Sequence, residues 1–263
     1  AGVYDVPVTV TYPDVTTDKT SVKVVVGNVI PITDPTQPTP EGYVRVTFDQ
    51  GANGTFVADA KTMFDVKVGT AMTEVSVPTV TPEADHLHTG WSPELAETVT
   101  DAANYVAQYK IKDNVQYVVE GGTINKAFGD PTTADEVIGA VITGYPTDQT
   151  PQPTITVDDP SKLPNGTEAG EFDIPVTVTL PDGTTSTTTV KVIVMDKVID
   201  RTNDPNAPTP EGYVRVTFDA GTDGKFADGA SYIFDVKEGT SIGEVQIPTV
   251  IANEGFVQKD GAE

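Results

Sequence analysis

The chain has 263 residues and a net charge of −23, from 39 acidic and 16 basic side chains. A field of this sign repels nucleic acid and anionic membrane surfaces, and it argues against both as partners of this segment. No cysteine is present, so we expect packed cores without disulfides to provide the stability. No stretch approaches the roughly 20 apolar residues of a transmembrane helix, and residues 1–30 lack a signal-peptide pattern.

The sequence is repetitive. Residues 41–49 (EGYVRVTFD) recur unchanged as residues 211–219, at a spacing of 211 − 41 = 170 residues. Residues 64–67 recur as 234–237 at the same spacing, and residues 5–11 recur with one change as 173–179 at a spacing of 168. Such matches indicate a tandem array of modules. We expect the nonapeptide to mark a module junction and first strand, not a catalytic motif.

Residues 5–26 are predicted to form a β-hairpin. Val6, Val8, Val10 and Tyr12 alternate with polar residues or proline, which is typical of a half-buried strand, and residues 22–26 form the returning strand. The second copy spans residues 174–194 and has Gly183 in its turn, where the first copy has Val15. If that position needs a positive φ, either Val15 is strained by roughly 1–2 kcal/mol or the first copy has a different turn.

Two proline-rich connectors follow the hairpins, at residues 31–40 and 204–210. Segments of this composition are extended and semi-rigid, so we expect them to hold neighbouring modules apart along a line.

Residues 41–110 are predicted to form the next module. Alternation predicts strands at 44–48, 64–68 and 105–109, with one helical turn within residues 70–76 and Trp91 before the last strand. In the second copy, Ser241 and Glu244 have the spacing of a capping box.

Residues 111–197 are predicted to form a third module. Thr133 and Glu136 have capping-box spacing, and Val137, Ile138, Val141 and Ile142 are expected to share one helical face. A strand at residues 154–158 precedes the second hairpin.

The modules resemble two repeat families. Residues 140–195 contain TITVDDP, DIPVTVT and LPDG, and they resemble the Rib/alpha-like repeats of Gram-positive surface proteins, whose last motif commonly reads YPDG. The first copy reads YPDV at residues 12–15. Residues 43–109, with VRVTFD, Gly90-Trp91 and YVAQY, look like the Listeria–Bacteroides repeat, the B-repeat associated with internalins. The second resemblance implies a small β-grasp-like domain.

The resemblances imply a mostly β chain with little helix, made of Rib-like β-sandwich and β-grasp-like modules in an elongated array. We predict the end of a Rib-like module at 1–30, a β-grasp-like module at 41–110, a Rib-like module at 111–197 and a second, truncated β-grasp-like module at 211–263. Residue 1 aligns with Ala169, and the last module stops before a counterpart of Trp91. We therefore expect an excerpt of a longer array whose neighbouring residues complete both end modules.

Candidate metal sites have simpler interpretations. His86 and His88 could lie on one face of a strand as ligands, but the second copy has Phe256 and Gln258 there. The loops at 49–54 and 219–224 resemble the start of a calcium loop; Ala60 and Ala230 occupy the position of its last glutamate, which favours a tight turn.

Other candidate sites are also interpreted structurally. Trp91 is expected to pack in the core, and the threonines within residues 184–189 could carry glycans or simply face solvent. Residues 39–43 (TPEGY) resemble part of an isopeptide motif of pilin domains, but its companion box is absent. We predict no catalytic, cofactor-binding or metal-binding residues.

The sequence predicts a non-enzymatic stalk or spacer of a cell-wall-anchored fibrillar adhesin on a bacterial surface, outside the cell. Its expected partners are adjacent repeats of the same chain. In the alternative, the repeats themselves bind a host protein, a glycan or neighbouring cells through multivalent contacts.

Overall fold

The structure is a computed structural model that describes residues 1–258. The chain is mostly β, as predicted, and the described residues contain two short α-helices among many small sheets. Contacts divide it into two compact units, Ala1–Gln116 and Tyr117–Glu263. The part that the structure describes holds no helix of the length and apolarity needed to cross a membrane.

The first unit has eleven strands and one α-helix: β1 (Gly2–Thr11), β2 (Thr17–Val26), β3 (Val29–Pro31), β4 (Tyr43–Asp49), β5 (Gly54–Phe56), β6 (Met63–Lys67), β7 (Thr70–Ala71), β8 (Val80–Pro82), β9 (His86–Ser92), β10 (Thr98–Val99), β11 (Ala103–Ile111) and α1 (Asp113–Gln116). A 3₁₀ turn at Met72–Glu74 confirms the helical turn predicted within residues 70–76.

Strands β1 and β2 form the predicted antiparallel hairpin. The next sheet has the order β3-β6-β4-β11-β9, in which only the β4–β11 pair is parallel. Its core is apolar because alternate residues of β4 and β6 point to one side, and the buried members are Val46, Phe48, Phe64, Val66, Met72, Val75, Val99 and Tyr105.

The second unit begins with β12 (Val119–Gly121), β13 (Thr123–Lys126), α2 (Ala134–Gly139), β14 (Val141–Thr143), β15 (Thr154–Val157), β16 (Gly170–Thr179) and β17 (Thr185–Val194). A four-stranded sheet has the order β13-β17-β16-β15, with β13 parallel to β17. Helix α2 contributes Val137 to a core of valines and Ile174 from this sheet.

The second unit continues with β18 (Val198–Asp200), β19 (Tyr213–Thr217), β20 (Gly224–Phe226), β21 (Ile233–Lys237) and β22 (Val250–Ala252). The sheet β18-β21-β19 repeats the β3-β6-β4 part of the first unit, with the same antiparallel pairing. Its small core contains Phe234, Val236 and Val245.

Three helix and strand predictions need correction. The capping box of α2 is present, but the helix ends at Gly139; Val141 and Ile142 lie in β14, and Ile142 is exposed. Ser241 accepts a hydrogen bond from Gly243 N at a 3₁₀ turn, while the Glu244 carboxylate instead binds Lys197. Strand β6 ends at Lys67, so Val68 lies outside it and is exposed.

The first proline-rich connector is not simply the extended, semi-rigid segment that its composition predicts, because it turns and bonds to a sheet. Pro31 is part of β3, and the Ile32 amide donates to the Met63 carbonyl of the sheet. Asp34 caps a turn by accepting hydrogen bonds from Thr36. The connector therefore folds onto the module that follows it, because a sheet edge and a turn satisfy its backbone groups.

Candidate functional site

The feature that both copies share most closely is a buried ion pair, formed by Arg45 and Asp65 in the first copy and by Arg215 and Asp235 in the second. Each arginine lies directly across an antiparallel pair from its aspartate, on β4 and β6 or on β19 and β21. The Nε–Oδ1 distances are 2.6 Å and 2.8 Å. Both carboxylates are fully buried.

The same arginines bind the proline-rich connectors. In the first copy, Arg45 donates from Nη1 to the Pro35 carbonyl at 3.2 Å and from Nη2 to the Gln37 carbonyl at 2.7 Å. The Thr39 hydroxyl donates to Asp65 Oδ1 at 3.0 Å. A guanidinium suits this role because its fixed fork can donate to a carboxylate and to carbonyls at once.

The second copy reproduces these bonds. Arg215 donates to the carbonyls of Pro205 and Ala207, and Thr209 donates to Asp235 Oδ1 at 3.1 Å. We call the set of threonine, arginine and aspartate the connector clamp: Thr39, Arg45 and Asp65 in the first copy, and Thr209, Arg215 and Asp235 in the second.

The second clamp has one additional cation. Arg201 donates to Asp235 Oδ2 at 2.9 Å, whereas the buried Ile32 follows β3 at the corresponding place in the first copy. Burial alone would raise the pKa of Asp235, but hydrogen bonds from Arg215, Arg201 and Thr209 outweigh it and hold the pKa below the ordinary 3.8. The carboxylate stays charged, as its paired arginines require.

A second shared contact joins each hairpin to the module after it. The Tyr43 hydroxyl donates to the Gly27 carbonyl at 2.7 Å, and the Tyr213 hydroxyl donates to the Asp196 carbonyl at 3.0 Å. In the second copy the Phe128 amide also donates to the Tyr213 oxygen at 3.0 Å, and burial raises the pKa of this tyrosine.

Side chains at the start of β3 and β18 add a third contact. Asn28 donates to Glu74 at 3.3 Å in the first copy, and Lys197 binds Glu244 at 2.6 Å in the second. The glutamates occupy the same position in the two 3₁₀ turns. We call the tyrosine contact and this contact together the joint. The joint lies where the chain passes from a hairpin to the next module, with only a few residues between β2 and β3 or between β17 and β18.

The two candidate histidines, His86 and His88, lie in the first unit. His88 contacts the rings of Tyr109 and Trp91, with centroids 5.6 Å and 5.5 Å away, and His86 Nδ1 is buried without a hydrogen-bond partner among residues 1–258. Within those residues, no three His, Asp or Glu side chains are placed to hold a metal ion together.

The loops at residues 49–54 and 219–224 are closed by their own aspartate side chains. Asp49 Oδ1 accepts the Gly51 amide and Asp219 Oδ1 accepts the Gly221 amide, both at 2.8 Å. Both glycines have positive φ, 70° and 71°. This is the geometry of a tight turn stabilised by an aspartate.

The remaining candidates take structural positions. Trp91 packs edge-on against Phe48, with ring centroids 5.1 Å apart. On β17, Thr185, Thr187 and Thr189 face solvent. Thr39 of the suspected isopeptide motif belongs to the connector clamp.

Arg45 and Asp65 were not among the sequence candidates, although both lie in segments that repeat unchanged. The usable signal was a charged pair preserved at the same spacing within strands that otherwise carry core residues. No protein-family model matches the chain, and no curated protein matches it.

Proposed function

We propose that the chain is a non-enzymatic spacer of a bacterial cell-surface adhesin, located outside the cell and anchored to the wall. The assignment to Rib-like and β-grasp-like repeats is part of this proposal and rests on the motifs of residues 140–195 and 43–109. The observation that carries the spacer role is the repeated joint and connector clamp.

The two copies share the tyrosine bond of the joint and the connector clamp, but they expose different apolar residues. In the first β-grasp-like module Val57 and Val68 are exposed, and their counterparts are Ala227 and Glu238. A module repeated for binding would be expected to repeat its binding surface.

A cleft also lies beside the first hairpin. It has a volume of about 630 Å³ between the first hairpin and residues 37–41 of the connector, and Val3, Asp5 and Lys23 line it. Asp5 and Lys23 pair with each other at 3.2 Å. In the second copy Glu171 replaces Val3, whereas Ile193, Pro208 and Pro210 keep the other apolar positions of this lining, so the lining is repeated only in part.

A spacer requires joints that hold their angle, which single-molecule FRET can measure. The absence of native cysteine allows a dye pair to be placed at Lys19→Cys and Lys61→Cys, two exposed positions on either side of the first joint. We expect one narrow distance distribution, which Tyr43→Phe broadens because the hydroxyl bond to Gly27 is lost.

The matched control is a pair at Thr187→Cys and Asp228→Cys across the second joint, which Tyr43→Phe should leave unchanged. A broad distribution in the parent chain would contradict a spacer and favour the competing proposal, repeats that bind host protein or glycan multivalently.

A further inference from the structure

One face of the first hairpin is apolar and uncovered. We call it the hairpin face; its members are Tyr4, Val6, Val8, Val10, Tyr12, Val22, Val24 and Val26. All but Val8 are exposed, by 41% to 53%. An isolated two-stranded sheet is marginally stable in water, and a contiguous apolar row on it marks an interaction surface.

The second hairpin shows what such a face packs against. At a spacing of 168 the same positions are Phe172, Ile174, Val176, Val178, Leu180, Val190, Val192 and Val194. All except Phe172 are at most 2% exposed. They pack against Ile124, Val137, Ile138, Ile155, Val157 and Leu163. We call residues 119–163, which supply these partners, the cover segment.

The cover segment also pairs with both edges of the second hairpin. Strand β13 lies parallel to β17, with Ile124 opposite Val192, and β15 lies antiparallel to β16, with Ile155 opposite Val178. In the first hairpin the equivalent edges, at Val24 of β2 and Val10 of β1, pair with no strand among the described residues. The first hairpin therefore has an uncovered face and unpaired edges at the same positions that the cover segment occupies on the second hairpin.

We infer that the hairpin face of residues 4–26 is a docking surface for a second polypeptide segment with the chemistry of residues 119–163. The segment adds a parallel strand to β2 and an antiparallel strand to β1, and it places a short capped helix over the valines. This is strand addition combined with an apolar lid. The register transfers directly: the isoleucine equivalent to Ile124 lies opposite Val24, and the one equivalent to Ile155 lies opposite Val10.

A glycine determines which segments fit. A Cβ on Gly121 would overlap the Thr189 carbonyl, and a Cβ on Gly122 would lie 2.7 Å from the Ala140 carbonyl. The cover segment passes this close to β17 only because Gly121 lacks a side chain, while Gly122 allows the segment to approach its own residue Ala140. Ser21 is the counterpart of Thr189, so the occupant of the first hairpin needs a glycine at the position of Gly121.

The test extends the full chain by a second copy of residues 117–168 joined directly before Ala1. Because Glu168 precedes Ala169, the counterpart of Ala1, the join repeats the linkage that the chain already has. We expect amide hydrogen exchange in β1 and β2 to slow by roughly 100-fold or more, since covered strands open far less often than frayed ones. Unchanged exchange in these strands would overturn the inference.

Two variants of the added copy provide the control. Gly121→Val should abolish the slowing, whereas Gly139→Ala should retain it, because no atom lies within 4 Å of a Cβ at Gly139. Slowing with both variants would contradict the stated contact. The inference would also be contradicted if the unextended chain protected β1 and β2 from exchange more strongly at higher protein concentration. In that case a second copy of the chain would be the occupant. The outcome is independent of the spacer proposal, because a docked hairpin is compatible with a flexible joint.

Discussion

At the scale of single residues, the two copies act as a controlled comparison within one chain. The hairpin turns have the same hydrogen bonds: Val15 N donates to the Tyr12 carbonyl and Gly183 N to the Leu180 carbonyl, both at 2.9 Å. Val15 has φ 65° and Gly183 has φ 83°. The sequence predicted a choice between strain and a different turn, and the structure shows a strained valine in the same turn.

Exchanging these two residues should change stability in opposite directions. Val15→Gly removes a side chain from a left-handed conformation and is expected to stabilise the first hairpin by about 1–2 kcal/mol. Gly183→Val should destabilise the second hairpin by a similar amount, because no neighbouring atom restricts a Cβ there. Hydrogen exchange of the two hairpins measures both effects. Equal protection before and after either change would show that the φ values carry no cost.

The buried Asp235 predicts a pH dependence. Its pKa is lower in the folded chain than in the unfolded one, so its contribution to stability is present above the ordinary value near 3.8 and is lost as pH falls through the lower folded pKa. A carboxyl NMR titration should therefore place the Asp235 midpoint below 3.8. Arg201→Ala should raise the midpoint, because burial remains while one donor is lost; an unmoved midpoint would contradict the role given to Arg201.

At the scale of elements, the residue pattern predicted the strands but not the fold of the segments that connect them. Alternation at Val44, Val46 and Phe48 predicted β4, and the capping pair Thr133 and Glu136 predicted the start of α2. Both depend on neighbours within a few residues. The fold of the connector depends on Arg45, which follows it in sequence and binds the carbonyls of Pro35 and Gln37. Composition alone therefore predicted an extended, semi-rigid segment and not a folded one.

Removing the clamp arginine should destabilise one module selectively. Arg45→Ala leaves the Asp65 carboxylate buried without its cation and releases the connector, which is expected to cost about 3–5 kcal/mol. Trp91, the one tryptophan of the chain, packs on Phe48 in the same sheet and reports this module by fluorescence during urea unfolding.

Two variants distinguish the clamp from general charge effects. Arg215→Ala removes the equivalent residue of the other copy and should leave the Trp91 transition where it was. Lys23→Ala breaks an exposed pair with Asp5 and should shift the transition by less than about 1 kcal/mol. If Arg215→Ala moves the Trp91 transition as far as Arg45→Ala does, the clamp does not act on its own module alone.

At the scale of the whole molecule, repetition predicted the modular β architecture. The contacts that join one module to the next are visible only in the structure. The spacing of 170 between the nonapeptides identified the period. It did not show that Tyr43 bonds back to the hairpin or that Arg45 holds the connector, since both contacts cross element boundaries. The unchanged nonapeptide is explained by these joint and clamp residues, together with the core residues Val46 and Phe48.

Small-angle X-ray scattering of the full chain tests the central claim most directly, that repeated joints make this chain a spacer. A compact particle of 263 residues has a radius of gyration of roughly 18 Å, whereas the proposed line of four small modules would have one of about 30 Å. We predict the larger value, unchanged across protein concentrations. A radius near the compact value would contradict the spacer.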